Sequence, residues 1–279
     1  MTINCKGQLI DLSYPKVMGI LNFTPDSFFD GGRYKTDIEI LSHTEKMLSE
    51  GADFIDVGTY SSRPNAAFVS EEEEISRMKS VMQILSKEFP NVLYSIDTFR
   101  SEVAKVALDY GGSIINDISA GNLDHKMMDT VAQYQVPYIM MHMRGTPQTK
   151  QNLTHYDNLV QEILFYFSEK ITEARSKGIN DLIIDVGFGF AKTIEQNFEL
   201  ISKLELFREL KLPNLVGISR KTMIYKTLNI KQEEALNGTI TLNTIALLKG
   251  ANILRVHDVK EAKQVIELVM KVKSNNNSI

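Results

Sequence analysis

Phe54-Ile55-Asp56-Val57, then Glu71–Glu88 (EEEEISRMKSVMQILSKE), then Val92-Leu93-Tyr94-Ser95-Ile96: this run decides the fold. Two short, β-rich apolar segments flank a stretch whose Ile75, Met78, Met82 and Leu85 fall on one helical face. Short apolar runs of this kind are what parallel strands buried on both faces look like. The same alternation extends outward to both ends of the chain. Further strands are expected at Val17–Leu21, Ser113–Ile115, Tyr138–Met141, Leu182–Ile184, Leu215–Ile218 and Asn252–Val256. Helical spacing recurs over Tyr156–Lys177, where Leu159, Ile163, Phe167 and Ile171 share a face, and over Glu234–Lys249 and Val259–Lys273. Strand followed by helix, repeated eight times over about 250 residues, is the rhythm of an α/β protein of the (β/α)8 TIM barrel class. A doubly wound open sheet is the competing architecture.

No Gly, Ser or Pro linker divides the 279 residues, so a single domain over 1–279 is expected. Residues 1–13 read as an N-terminal hairpin turning at Lys6-Gly7, placed to plug the bottom of a barrel, and the Asn-rich residues 274–279 as a frayed tail. The acidic run Glu71–Glu74 reads as a helix N-terminus favoured by the helix dipole.

A composition of 43% apolar and 24% charged residues excludes a disordered chain. Lys plus Arg number 31 against 35 Asp plus Glu, and this near balance argues against a general nucleic-acid binder. One cysteine, Cys5, excludes an internal disulfide framework and a Cys-based zinc cluster. The first residues lack the apolar core of a signal peptide, and no run approaches the ~18 apolar residues of a membrane span. A soluble, cytoplasmic protein without membrane partners is expected.

In a parallel barrel, function sits at the carboxyl ends of the strands. Here those ends carry Asn22, Asp56, Asp97, Asn116-Asp117, His142, Asp185, Ser219-Arg220-Lys221 and Arg255-Val256-His257. A lone Asp after a strand is an ordinary helix cap. Eight polar ends in register predict a lined pocket. Its mixture of carboxylates, amides and cations suits a polar heterocycle together with an anion. Two turn-rich loops, Asn22–Gly32 and Tyr60–Asn65, follow the first two strands, and the second presents Arg63, a natural partner for phosphate oxygens. Gly187-Phe188-Gly189-Phe190 is too short for a dinucleotide fingerprint; the Walker A, His-Glu-x-x-His and G-x-S-x-G motifs are absent. His142, after Met140-Met141, reads as a rim residue.

Taken in order, these segments resemble dihydropteroate synthase. The matching stretches are Met18–Phe28, Asp56-Val57-Gly58 with Ser61-Ser62-Arg63-Pro64, Ser95–Thr98, Ile115-Asn116-Asp117, Asp185–Phe190, Gly217–Lys221 and Arg255–Asp258. The resemblance implies a (β/α)8 barrel that uses magnesium, forms a homodimer and joins dihydropterin pyrophosphate to para-aminobenzoate, releasing pyrophosphate. It implies that Asp97, Asn116 and Asp185 read the pterin's amino-pyrimidine edge, that Lys221 donates to its carbonyl or ring nitrogen, and that Met141 and Phe190 wall the slot. Asn22, Arg63, Arg255 and His257 would hold pyrophosphate, and Lys221, Arg255 and His257 form the catalytic set. Asn22 would bind magnesium through its side-chain oxygen, with Asp56 helping to hold that shell. Ser219, near an expected helix start, would receive the para-aminobenzoate carboxylate, with Phe28, Ser62, Arg63 and Pro64 completing that pocket. Arg255→Ala and Lys221→Ala are expected to lower turnover greatly while leaving the fold intact.

The second loop departs from the family's Gly-Glu-Ser-Thr-Arg-Pro-Gly pattern at Tyr60, Ser62 and Asn65. Tyr60 either packs on the rim or reaches a substrate; the sequence does not choose. Two rival readings remain: a methyltransferase passing a methyl group from methyltetrahydrofolate to a corrinoid protein, and a non-catalytic pterin-binding paralogue. The first has no use for Arg63, Arg255 and His257 together. The second would bind pterin without condensing the amine.

Overall fold

The computed structural model describes residues 1–23, 33–60, 69–146 and 153–276. Eight parallel strands close into a barrel: β3 (Lys16–Asn22), β4 (Phe54–Gly58), β5 (Tyr94–Asp97), β6 (Gly112–Asp117), β7 (Tyr138–Met141), β8 (Leu182–Asp185), β9 (Asn214–Val216) and β10 (Ile253–Val256), with β10 hydrogen-bonded back to β3. Each connection passes through a helix: α1 (Arg33–Ser49), α2 (Glu71–Glu88), α3 (Ser101–Asp109), α4 (Met127–Tyr134), α5 (Leu159–Ser176), α6 (Ile194–Ser202), then α7 (Thr222–Leu228) with α8 (Leu236–Leu248), and finally α9 (Val259–Asn276). The open-sheet alternative falls with the β10–β3 pairing.

Local chemistry sets several boundaries. Helix α2 has the predicted bounds because Ser70 caps it, its Oγ accepting the Glu73 N–H at 3.2 Å. Helix α5 starts three residues later than its periodicity suggested, because Asn158 accepts the Gln161 N–H there. Strand β9 stops at Val216, two residues short of expectation, where its pairing with β10 ends and the chain turns through Ile218–Lys221. Helix α9 continues to Asn276, so Ser274–Asn276 are helical rather than frayed.

Strand side chains alternate between the barrel interior and the helical layer. The outward set, including Val17, Val57, Ile96, Ile115, Ile184 and Leu254, packs with the helices in the main core. The inward set begins with an apolar floor of Met18, Phe54, Ile114, Ile139, Ile183, Leu215 and Ile253. Strands β1 (Thr2–Cys5) and β2 (Gln8–Asp11) form the expected hairpin around Lys6-Gly7, and its Ile3 and Cys5, with Leu12, complete that floor. The hairpin does plug the bottom of the barrel. The Asn252 side-chain amide donates to Leu12 O and its oxygen accepts the Asn214 N–H, which ties the plug to β9 and β10. Truncating buried Phe54 to Ala would cost ~3–5 kcal/mol through lost burial and a cavity in this layer.

Two residues further along each strand, the interior changes character. Asp56, Ser95, Asn116, Asp185 and Arg255 occupy the next inward positions, with Met141 among them. An apolar floor thus supports a polar chamber that opens at the carboxyl ends.

Candidate active site

The chamber is organised by one row of paired residues. Asn22 pairs with Gly58, Gly58 with Asp97, and Asp97 with Asn116, so four neighbouring strands present their inward positions side by side. Gly58 is required for close approach: a Cβ there would lie 3.1 Å from Asn22 Oδ1 and 3.4 Å from Asp97 Cβ. Its missing side chain leaves room for the Asn22 amide oxygen on one side and Asp97 on the other.

Arg255 crosses the chamber from β10. Its Nε donates to Asp56 and its Nη2 to Asp97, both at 2.6 Å, and the Asn116 amide donates to the Asp56 oxygens at 3.2 and 3.3 Å. Asp56 is fully buried and Asp97 is 22% exposed at the mouth. Burial opposes the charge on Arg255, but Asp56 and Asp97 outweigh it and hold the guanidinium above its ordinary pKa. Two of its five N–H donors serve carboxylates, which leaves others for an anion. Arg255 therefore also braces the chamber, a duty that the expectation of an intact fold in Arg255→Ala leaves out. Asp56 is engaged by Arg255 and Asn116 and pairs with Ile20, two residues before Asn22 on the neighbouring strand.

Asp97 and Asp185 are acceptors in a poorly solvated space. Burial pushes Asp97 up to about 7 against the pull of Arg255, with Asp56 adding to the rise. Burial likewise raises Asp185, opposed by Lys221 and by the Gly187 N–H that it accepts at 2.8 Å. Lys221 is pulled down to about 8 by burial, with Asp185 opposing and Arg255 assisting. Its ammonium donates to Phe188 O and lies 5.0 Å from the centre of the Phe190 ring. Phe190 packs in a small apolar cluster with Met141, Ile118 and Met143. The two residues expected to wall the slot are therefore neighbours, and Asp185 pairs directly with Met141 on the ladder.

Ser219 and His257 meet: Oγ lies 2.9 Å from Nδ1, and the His257 N–H points at the same oxygen. Helix α7 begins at Thr222, three residues beyond Ser219. Phe28, Ser62, Arg63 and Pro64 lie outside the described residues.

Three polar strand ends face away from the chamber. Asp117 is buried behind it and accepts from Tyr138 OH, Ser119 and Gly121. Arg220 forms a two-point pair with Asp258. His142, expected at the rim, is instead buried, because its strand end is covered by Tyr166 at 4.9 Å between ring centres and by the Lys192 ammonium. Tyr60 packs on the rim, edge-on to Phe99 at 5.2 Å, with the Arg100 guanidinium over it.

A second buried network escaped the sequence reading. Glu74 accepts from Thr98 Oγ1 and from Arg100, whose Nη2 also donates to Val69 O. This ties α2 to the end of β5, immediately after Asp97. The signal was present: Glu74 sits four residues before Met78 on the apolar stripe, and was absorbed into the acidic first turn.

A family model described as pterin binding enzyme matches residues 18–257. The dihydropteroate synthase of Escherichia coli K12 is 41% identical over 280 residues, covering 99% of each chain. That of Clostridium beijerinckii is 42% identical over 256 residues, 90% of this chain and 92% of its own. The chain belongs to the dihydropteroate synthase family. Dihydropteroate synthase is a transferase, and solved members share this barrel. The Yersinia pestis dihydropteroate synthase in a sulfonamide drug complex superposes with a TM-score of 0.92 at 39% identity, covering 98% of this chain and all of that one. The Xanthomonas albilineans dihydropteroate synthase with 4-aminobenzoic acid gives 0.90 at 36% identity, covering 98% of each.

Proposed function

We propose that this member of the dihydropteroate synthase family condenses 6-hydroxymethyl-7,8-dihydropterin pyrophosphate with para-aminobenzoate, giving 7,8-dihydropteroate and pyrophosphate. The observation that carries the reading is the buried slot in which the Asp97–Asn116 row and Asp185 offer acceptors opposite Lys221, against the Met141–Phe190 wall. Both carboxylates accept pterin N–H donors, and Asn116 both donates and accepts. Lys221 donates to the pterin carbonyl or the adjacent nitrogen.

Pyrophosphate leaves first, and the electron-rich dihydropterin delocalises the methylene cation. Arg255, His257, Asn22 and Arg63 hold the departing anion, with Arg255 preset by Asp56 and Asp97 so that little reorganisation accompanies the growing charge. The arylamine then attacks the methylene carbon; it is a weak base, so positioning matters more than a strong proton acceptor. Ser219, together with Phe28, Ser62, Arg63 and Pro64, receives para-aminobenzoate, and the Ser219–His257 contact links that end to the leaving-group end.

Magnesium suits Asn22, a neutral oxygen donor at a strand mouth beside a carboxylate. Asn22 would hold the ion, which when bound would supply Lewis-acid stabilisation of the leaving group. In this reading Asp56 serves the shell through Arg255 and Asn116, the partners that it already holds.

We take the protein to act as a homodimer in the cytoplasm. Exposed Leu228, Leu248 and Leu268 on the last three helices offer apolar surface to a second copy, and the one cysteine is unpaired, as suits a reducing compartment. Among the described residues no helix is long and apolar enough to cross a membrane. Sedimentation would give twice the chain mass if the dimer is correct.

The test is formation of dihydropteroate from the two substrates, with magnesium and with chelator. Magnesium-dependent product is the expected result. A folded protein that binds pterin yet makes no product would replace this reading with the non-catalytic paralogue.

A further inference from the structure

The turn that follows β8 is held from behind by a buried ammonium. Lys192 Nζ lies 3.1 Å from His142 Nδ1, 3.0 Å from Gly187 O and 2.9 Å from Phe190 O, with the residue 9% exposed. An ammonium carries three donors and no acceptor. Three acceptors surround this one. His142 must then present a lone pair at Nδ1 and carry its ring proton on Nε2. Its burial, with Lys192 and Arg144 adding to the effect, holds its pKa well below the usual histidine range, so the neutral ring is the form present.

The three acceptors sit on segments that carry the slot. Gly187 follows Asp185 by two residues and donates its N–H to that carboxylate. Phe190 is the slot wall, and His142 follows the other wall residue, Met141. The turn is pressed hard against the end of β7. Gly187 has φ +72°, and a Cβ on it would fall 2.1 Å from His142 O. Lys221 grips the same turn from the slot side, donating to Phe188 O with its ammonium over the Phe190 ring. The turn is thus fixed between two lysines, of which one faces the ligand and the other is hidden.

We propose that Lys192 is a positioning residue for pterin binding: its three donated hydrogen bonds lock the Gly187–Phe190 turn to His142 and so set the Phe190 wall and the Asp185 acceptor. This rests on the reading of the slot as the pterin site. Lys192 touches no substrate in this account and acts through Phe190 and Asp185. Burial pulls its pKa down to about 7, with Asp185 opposing, so the ammonium is the dominant form at pH 6, where the test is made.

Titration calorimetry with dihydropterin pyrophosphate, without para-aminobenzoate, reads the slot together with the leaving-group end, and the leaving-group contacts are the same in parent and variants. Lys192→Met keeps the stem and removes three donors. It is expected to weaken binding roughly 10–100-fold, the range for losing hydrogen bonds to a charged group. His142→Leu removes one acceptor and should weaken binding in the same direction, whereas His142→Asn retains an acceptor and should bind within about threefold of the parent. Should Lys192→Met fail to fold, the ring-nitrogen NMR shifts of His142 in the parent protein decide the matter. An unprotonated, hydrogen-bonded Nδ1 supports the arrangement, and a protonated Nδ1 overturns it. Parent-like affinity in a folded Lys192→Met overturns the positioning role while leaving the slot intact. A parent protein that binds no pterin overturns the slot reading and this inference with it.

Discussion

Arg255→Met tests whether the guanidinium that awaits pyrophosphate also holds the barrel mouth together. The substitution keeps an unbranched apolar stem and removes the charge. Asp56, fully buried, then loses its 2.6 Å partner and, among the described residues, retains the Asn116 amide. Removing one member of a buried pair costs about 3–5 kcal/mol, because the remaining charge is uncompensated. Asp97 is partly exposed and adds less, since solvent screens it. A total near ~4 kcal/mol is a large share of the ~5–15 kcal/mol stability of a typical domain. Asp56→Asn in the same background removes the stranded charge. The double variant should therefore be more stable than Arg255→Met alone by ~2 kcal/mol or more, although it carries one more change. Urea unfolding followed by far-UV circular dichroism reads all four corners of the cycle; the chain has no tryptophan to serve as a fluorescent probe. Additivity of the two single changes within ~0.5 kcal/mol would refute the ion-pair argument. Turnover should be lost in every Arg255→Met background whatever the stability, because the anion partner is gone.

Gly58→Ala places a methyl group 3.1 Å from Asn22 Oδ1; turnover should fall roughly 10–100-fold through displacement of Asn22, with stability changed by less than ~1 kcal/mol, as steady-state kinetics and thermal melting would show. The raised pKa of Asp97, about 7 when folded against an ordinary value of 3.8, means that the native state binds more protons between those values. Its stabilising contribution is therefore complete below about pH 4 and disappears as the pH rises through about 7; Asp97→Asn should remove that downward slope, and an unchanged stability–pH curve would contradict the assignment. Burial pushes the Cys5 thiol up to about 12, so an aromatic disulfide reagent should leave it unmodified in the native protein and react with it at once in urea. Rapid native labelling would mean that the hairpin is not seated.

The strand–helix rhythm was legible because its physical cause is local. Apolar periodicity fixed Glu71–Glu88, and the strand at Tyr138–Met141 was read to its true ends. Within the site, the inward polar positions were legible as strand ends, and Asp97, Asn116, Asp185, Lys221 and Arg255 do converge. What could not be read was direction. Asn116 and Asp117 are adjacent in sequence, yet one faces the chamber and the other lies behind it, because successive side chains on a strand alternate. Nor does local pattern reveal partners 60 to 199 residues apart, such as Asn116 and Arg255 with Asp56. The buried pairing of Glu74 and the burial of His142 are hidden for the same reason: a buried polar residue looks like an exposed one until its distant partner, Arg100 or Lys192, is in place.

The floor of the barrel draws on residues far apart along the chain, and that sets an order on its making. Ile3, Cys5 and Leu12 are synthesised long before Ile253, which forms part of their seat. A two-stranded hairpin alone is marginal in water, so through most of translation these apolar groups have no home. A nascent chain interrupted before β10 lacks part of the seat for the plug, lacks Asn252 to fasten it, and lacks Arg255 above it. Incomplete molecules are thereby left with an unsealed base and an unneutralised Asp56, two defects of the kind that chaperones and proteases detect. The hairpin thus serves as a seal that only a chain extended through β10 can receive.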